Sequence, residues 1–217
     1  MPREDSLPSL SSQQSQIPPT QTQTLISPSS IIGDGGLLSG DPCGPPCFLG
    51  IIVGQTHYTD AEKILTNWGL LDYCSVIDNY EFAKQENKGG WWCSGFGIDF
   101  DRTSGIVSEL SYGLNPPVEL QVIIARYGTP DAISIVNFGG EDVGPVLRGK
   151  LLYFGTRMKL VSSTGQERWE YEITPTMLID VVVYQDEEHF AEEIDSLKYF
   201  GHPWRGYGTY PLYERRK

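Results

Sequence analysis

The segment DPCGPPCFLG, residues 41–50, sets Cys43 and Cys47 around a Gly-Pro-Pro turn. Two thiols this close can exchange disulfides, form half of a metal site, or staple the backbone. Exchange chemistry needs two intervening residues and a first cysteine at a helix N-terminus, where its pKa is lowered. Here three residues intervene, and the apolar run FLGIIVG that follows is broken by glycines rather than capped as a helix. A structural zinc site needs two further ligands at sensible spacing. The remaining cysteines, Cys74 and Cys93, are single, and His57, His189 and His202 are scattered. Neither a metal nor a cofactor is expected. Disulfides and buried reduced thiols remain, and four cysteines permit three pairings. Cys74–Cys93 would close a polar, turn-rich loop, worth about 3 kcal/mol in the chain-entropy model. Cys43–Cys47 would close a small ring around Pro45 and Pro46 with a smaller gain. Both are favoured as structural disulfides, and disulfides imply an oxidising compartment.

Carboxylates form the second chemical set. Asp99, Asp101, Glu170, Glu172 and Asp180 lie in or near strand-like runs, and alternation puts Glu170 and Glu172 on one face. Paired carboxylates can do acid–base work if their pKa values are driven apart. Solvated strand faces ordinarily carry such residues, so a carboxylate-based hydrolase or lyase is an alternative reading only. Apart from the cysteines there is no nucleophile–base motif or phosphate-cradling loop. GFGIDF and GYGTYP lack the strand–loop–helix setting of a phosphate site and read as bulges or close packing in strands. No catalytic residue is assigned.

Aromatic residues are the third set. Trp91 and Trp92 are adjacent, so in a strand they point to opposite faces, one into the core and one outward. Trp204, Tyr207 and Tyr210 crowd the C-terminal tail and would add to such a surface. Aromatic anchors dominate many interfaces. The first reading is therefore a non-enzymatic protein-binding or assembly module whose partner is another protein. A carbohydrate-binding surface using Trp and Tyr as stacking platforms is a further alternative.

The elements that position these residues belong to an α+β chain. Residues 1–40 are rich in Ser, Gln, Pro and Thr and bury too little to offset ordering; they read as a disordered linker. The first twenty residues lack the apolar stretch of a signal peptide, so the export segment or anchor is expected to lie outside this chain. No run of 18 apolar residues is present to span a membrane as a helix. A net charge of −12 repels phosphate backbones and argues against nucleic acid.

Residues 41–217 read as one domain. In YTDAEKILTNWG, Thr59 and Glu62 have capping-box spacing, Ala61, Ile64, Leu65 and Trp68 form a stripe, and Gly69 stops the helix. Phe96, Ile98 and Phe100, then Ile106, Leu110, Tyr112 and Leu114, predict a hairpin with one apolar face. Asn115 and Pro116 would open a second helix through VELQVIIARYG. Strand-like runs follow at 132–137, 147–154, 157–162, 168–173 and 177–184. Asp186 caps a last helix with the stripe Phe190, Ile194 and Leu197, and the tail after it is an edge strand or a packed segment. TNWGLLDYCSV and ARYGTPDAISI align at their glycines, with Trp68 against Tyr127, which predicts duplicated halves at 47–114 and 115–184 and a C-terminal part at 185–217. The expected architecture is an antiparallel sheet with short helices on one face.

GIIVGQTHYTDAEKILTNWG, followed by CSV and WWC, resembles the small outer-membrane assembly lipoproteins of the SmpA/OmlA type and the β-lactamase-inhibitor-protein fold. The carrying pattern is Gly-Ile-x-x-Gly-x-Thr, a short helix and a glycine. It covers 47 to about 107 and, only loosely, 115–184, and no Gly-x-Thr precedes Pro116. In the inhibitor family a cysteine just after the first helix pairs with one opening the next strand, which corresponds to Cys74 and Cys93, and tandem duplication also occurs. PPCFLGIIVGQT is also similar to uncharacterised bacterial exported proteins in which it follows an anchor and linker. The resemblance implies a binding scaffold with one sheet face free; β-lactamase inhibition is not carried over.

Overall fold

The computed structural model describes residues 28–77, 87–137, 147–162 and 170–211. A short helix, α1 (Pro28–Ile32), and the ribbon β1 (Cys47–Phe48) with β2 (Ile51–Ile52) come first. Then come α2 (Tyr58–Asn67) and the strands β3 (Cys74–Val76), β4 (Lys88–Cys93), β5 (Phe96–Asp101) and β6 (Val107–Glu119). The second half repeats this plan with α3 (Leu120–Tyr127), β7 (Ala132–Asn137), β8 (Leu147–Tyr153) and β9 (Met158–Val161). The chain then leaves through β10 (Glu170–Ile173) and returns as β11 (Leu178–Gln185). It closes with α4 (Glu187–Phe200), β12 (Gly201–Pro203) and β13 (Gly208–Pro211).

Nine strands build one antiparallel sheet in the order β12-β7-β8-β9-β11-β6-β5-β4-β3. Two four-strand meanders, each preceded by one short helix, thus meet through their last strands, β6 and β11. This is the order that a duplicated helix-plus-meander would produce. β10 instead pairs with β13 in a separate ribbon.

Alternation assigns the two faces of the sheet. Ile98, Leu110, Tyr112, Leu151, Leu160, Val182 and Tyr184 point into the main core. The short helices cover that face: α2 buries Ala61 and Leu65, and α3 buries Leu120 and Ile123. Phe48 stacks on Tyr112 with ring centroids 4.6 Å apart, and the hydroxyls of Tyr112 and Tyr184 share a hydrogen bond of 3.0 Å. Burial pushes both phenols far above their ordinary pKa. The other face is half covered. Lys150 and Lys159 point away from the core, toward Glu193 of α4 at 3.1 Å each. Ala132, Leu152, Val183 and Phe190 are buried outside the main cluster. So α4 lies on the side opposite α2 and α3.

Several local expectations are corrected. Residues 1–27 lie outside the described residues, but the rest of the expected linker packs into the fold. Ile32 and Leu37 are in the core, and the Tyr127 hydroxyl donates to the Leu37 carbonyl. Gly35 is there because a Cβ on it would stand 2.4 Å from the Tyr112 ring, at a φ of +60°. The cap of α2 is His57, whose Nδ1 accepts from the Thr59 N–H; Thr59 lies inside the helix. Trp68, expected on the buried stripe, is exposed at the C-cap, and Gly69 then turns left-handed at φ 66° as predicted. Asn115 and Pro116 open no helix but continue β6 to Glu119, and α3 starts only at Leu120. The β6–β11 register breaks between Gly113↔Val181 and Val118↔Ile179. Pro116 and Pro117, which have no N–H for a ladder, sit in that break.

Both favoured disulfides are present, Cys43–Cys47 and Cys74–Cys93. The second joins β3 to β4, where the two cysteines face each other in register.

Candidate functional site

The sheet face not covered by α4 belongs to the first meander. One rung crosses it: Trp92 on β4 stands opposite Gly97 on β5, and Gly97 stands opposite Ser111 on β6. Trp92 is 65% exposed and Trp91, one pleat away, is 6% exposed. Trp91 is held in the core with its ring 5.5 Å from Phe100. This is the split that adjacency in a strand demands, and it makes Trp92 the outward residue.

Beside Trp92 the floor is made of small residues. A Cβ built on Gly97 would meet only Ser111 Oγ at 3.3 Å and the Trp91 carbonyl at 3.9 Å. One built on Gly113 would meet only the carbonyls of Gly95 and Asp180, at 3.6 and 3.8 Å. Only the small Ser111 hydroxyl borders Gly97, and backbone carbonyls alone border Gly113. The result is an open trough of about 250 Å³ bounded by Trp92, Gly95, Ser111 and Val181. A shallow apolar slot beside a free indole suits the edge of a ring or an aliphatic side chain.

At the other end of the same strands the face is charged. Asp99 and Glu109 stand directly opposite each other in the β5–β6 register. The Gln185 amide N–H donates to Glu109 at 2.7 Å. A polar cavity of about 410 Å³ opens between this end and α4, with Lys88, Glu109, Lys150, Gln185 and Glu193 on its walls. Burial works to raise the Glu193 carboxyl, but Lys159 and Lys150 outweigh it and hold the group below its usual range.

The tail aromatics do not join this face. Trp204 stacks on Tyr210 at 6.3 Å and meets Tyr207 edge-on at 5.8 Å. Tyr210 is 3% exposed; its hydroxyl accepts the Arg205 N–H and donates to the Gly206 carbonyl, both at 2.8 Å. Tyr207 is 44% exposed. β12, which leads into this cluster, and β4 are seven strand spacings apart in the sheet order. Measured along the sheet, at ~4.8 Å per spacing, that is ~34 Å. The five candidate aromatics therefore do not form one surface: Trp91 and Tyr210 are buried, Trp204 and Tyr207 lie at the far edge, and Trp92 alone lies on the open face.

The candidate carboxylates are also dispersed. Glu170 and Glu172 are both exposed on the β10–β13 ribbon. Asp101 accepts from the Ser104 N–H at 2.6 Å and from the Asn87 amide at 3.1 Å, and the Ser104 bond leads in holding its carboxyl low. Among the described residues, no group of three His, Cys, Asp or Glu is placed to hold a metal ion, and no helix is long and apolar enough to cross a membrane.

Sequence reasoning missed Gly97, Ser111 and Gly113, because GFGIDF read as structural glycines. The available signal was small residues alternating with large apolar ones in both GFGIDF and SYGL, which leaves one face of each strand bare. In comparisons with known proteins, no protein-family model, curated protein or solved structure matches the chain.

Proposed function

We propose that this chain is a protein-binding module that receives its partner on the open face of the first meander, in an oxidising compartment outside the cytoplasm. The observation that carries the reading is the free Trp92 indole beside an uncovered floor of Gly97, Ser111 and Gly113. Tryptophan is enriched among the few residues that carry most of the binding energy at protein interfaces. The resemblance to SmpA/OmlA-type assembly lipoproteins and the β-lactamase-inhibitor fold agrees with a sheet-face scaffold. Two disulfides support export, because such bonds persist where thiols are not kept reduced.

The test is crosslinking in the native host with wild type, Trp92→Ala and the distant Tyr207→Ala. A discrete adduct that survives Tyr207→Ala and disappears with Trp92→Ala supports the reading. An adduct pattern indifferent to Trp92→Ala overturns it. Thiol titration of denatured, unreduced protein from the same cells tests the compartment, with no free thiol expected.

A further inference from the structure

The strand order β8-β9-β11-β6-β5-β4 is unchanged when β11 is exchanged with β6, β9 with β5, and β8 with β4. Because every pair is antiparallel, this exchange is a two-fold rotation about an axis normal to the sheet, and it keeps each face on its own side. The register makes the correspondence residue by residue. Leu152, Lys159 and Val183 lie on one rung with Ser111, Gly97 and Trp92. Val183 therefore exchanges with Ser111, Lys159 with Gly97, and Leu152 with Trp92. One rung on, Lys150, Val161 and Val181 exchange with Gly90, Asp99 and Glu109.

One half of this face is already occupied by a helix. α4 buries Phe190 on its side of the sheet and sets Glu193 on Lys150 and Lys159. The matching half bears the opposite charge: its cations are replaced by glycines, and Asp99 and Glu109 take the place of Val161 and Val181. Lys88 and Arg102 also lie at this end, against the three carboxylates Asp99, Asp101 and Glu109, so its net charge is negative. The large apolar residue is kept, as Trp92 in place of Leu152.

Resting on the binding reading above, we propose that the uncovered half takes an amphipathic helix of a partner protein, with Lys or Arg facing Asp99 and Glu109 and one aliphatic or aromatic side chain seated beside Trp92. α4 is the internal precedent for the shape, and charge complementarity reverses its sign. The trough over Gly97 and Gly113 gives the side chain its seat.

The probes are labelled peptides copying residues 186–200. One keeps the native sequence; one carries Glu187→Lys, Glu188→Lys, Glu192→Lys, Glu193→Lys and Asp195→Lys; a third adds Ile194→Pro to the second, to break the helix. Binding to the full chain is followed by fluorescence anisotropy at low salt. The charge-inverted peptide should bind about tenfold or more tighter than the native-sequence peptide. Trp92→Ala should weaken it about tenfold, and the double variant Asp99→Lys with Glu109→Lys should reverse the preference. Near-UV circular dichroism and both disulfides check that each variant is folded. The proposal is overturned by any of four results: no binding of the inverted peptide at millimolar concentration, equal binding of its proline form, full retention by Trp92→Ala, or a Trp92-dependent dimer in sedimentation. If the peptides fail while the native-host adduct still requires Trp92, the binding reading stands and only the helix assignment is lost.

Discussion

Trp91 and Trp92 are neighbours in the chain with opposite physical roles. Deleting a buried tryptophan side chain removes its transfer free energy and leaves a cavity, so Trp91→Ala should cost about 3–5 kcal/mol. An exposed one has little to lose, and Trp92→Ala should stay within about 0.5 kcal/mol. Urea unfolding of the two variants measures both, and equal losses would mean that Trp92 also covers core. Adjacency in a strand made it legible that the two point apart; which one points inward depends on register, and register is set by partners far away in the chain. The cysteines behave similarly. Cys74 and Cys93 close a loop of about twenty residues, so Cys74→Ala with Cys93→Ala should destabilise by about 3 kcal/mol by the same measurement. The residue that caps α2 was less legible. Thr59 has the right chemistry for an N-cap, but His57 lies two residues earlier and its ring nitrogen takes the Thr59 N–H instead.

Among the elements, α4 is the one held to the sheet by buried ion pairs as well as by apolar contact. Phe190 is buried, Ile194 on the expected stripe is exposed, and Glu193 bridges two lysines. The lowered Glu193 pKa gives this hold a definite pH dependence. Its ordinary value is 4.5, and the folded value lies below that. Its contribution is therefore fully present above about 4.5 and is lost as pH falls through the folded value. Glu193→Gln should cost about 3 kcal/mol at neutral pH, because Lys159 is left buried beside a neutral group. The gap between variant and wild type should close below the folded pKa. Urea midpoints from pH 7 down to pH 3 test this, and a gap independent of pH would show that the ion triad does not hold α4. The existence of α4 and its Asp186 cap were readable from the sequence. Which face of the sheet receives the helix was not, because that follows from the alternation phase of Lys150 and Lys159, which no local pattern reveals. The same limit explains β6, where proline, ordinarily a helix opener, marks an interruption in the ladder.

At the scale of the molecule the two meanders share one core, and neither is complete alone. Tyr112 of the first half and Tyr184 of the second pair their hydroxyls at 3.0 Å, and β6 pairs with β11 along most of its length. Tyr127, which ends α3, reaches back to the carbonyl of Leu37. The glycine alignment of the halves was visible in the sequence, but it carries no information on whether the halves stand apart or fuse. A fused sheet follows physically from the burial of both faces of contact, because an isolated first half would expose β6 as a long unpaired edge. A fragment of residues 28–119 should accordingly remain unfolded or associate with itself. The intact chain should unfold in one step by both far-UV and near-UV circular dichroism. Mixing the fragment with residues 120–217 should restore the near-UV signal. Two separate transitions in the intact chain, or a folded monomeric first half, would mean that the meanders are independent units and that the two-fold relation between their sheet faces has no energetic basis.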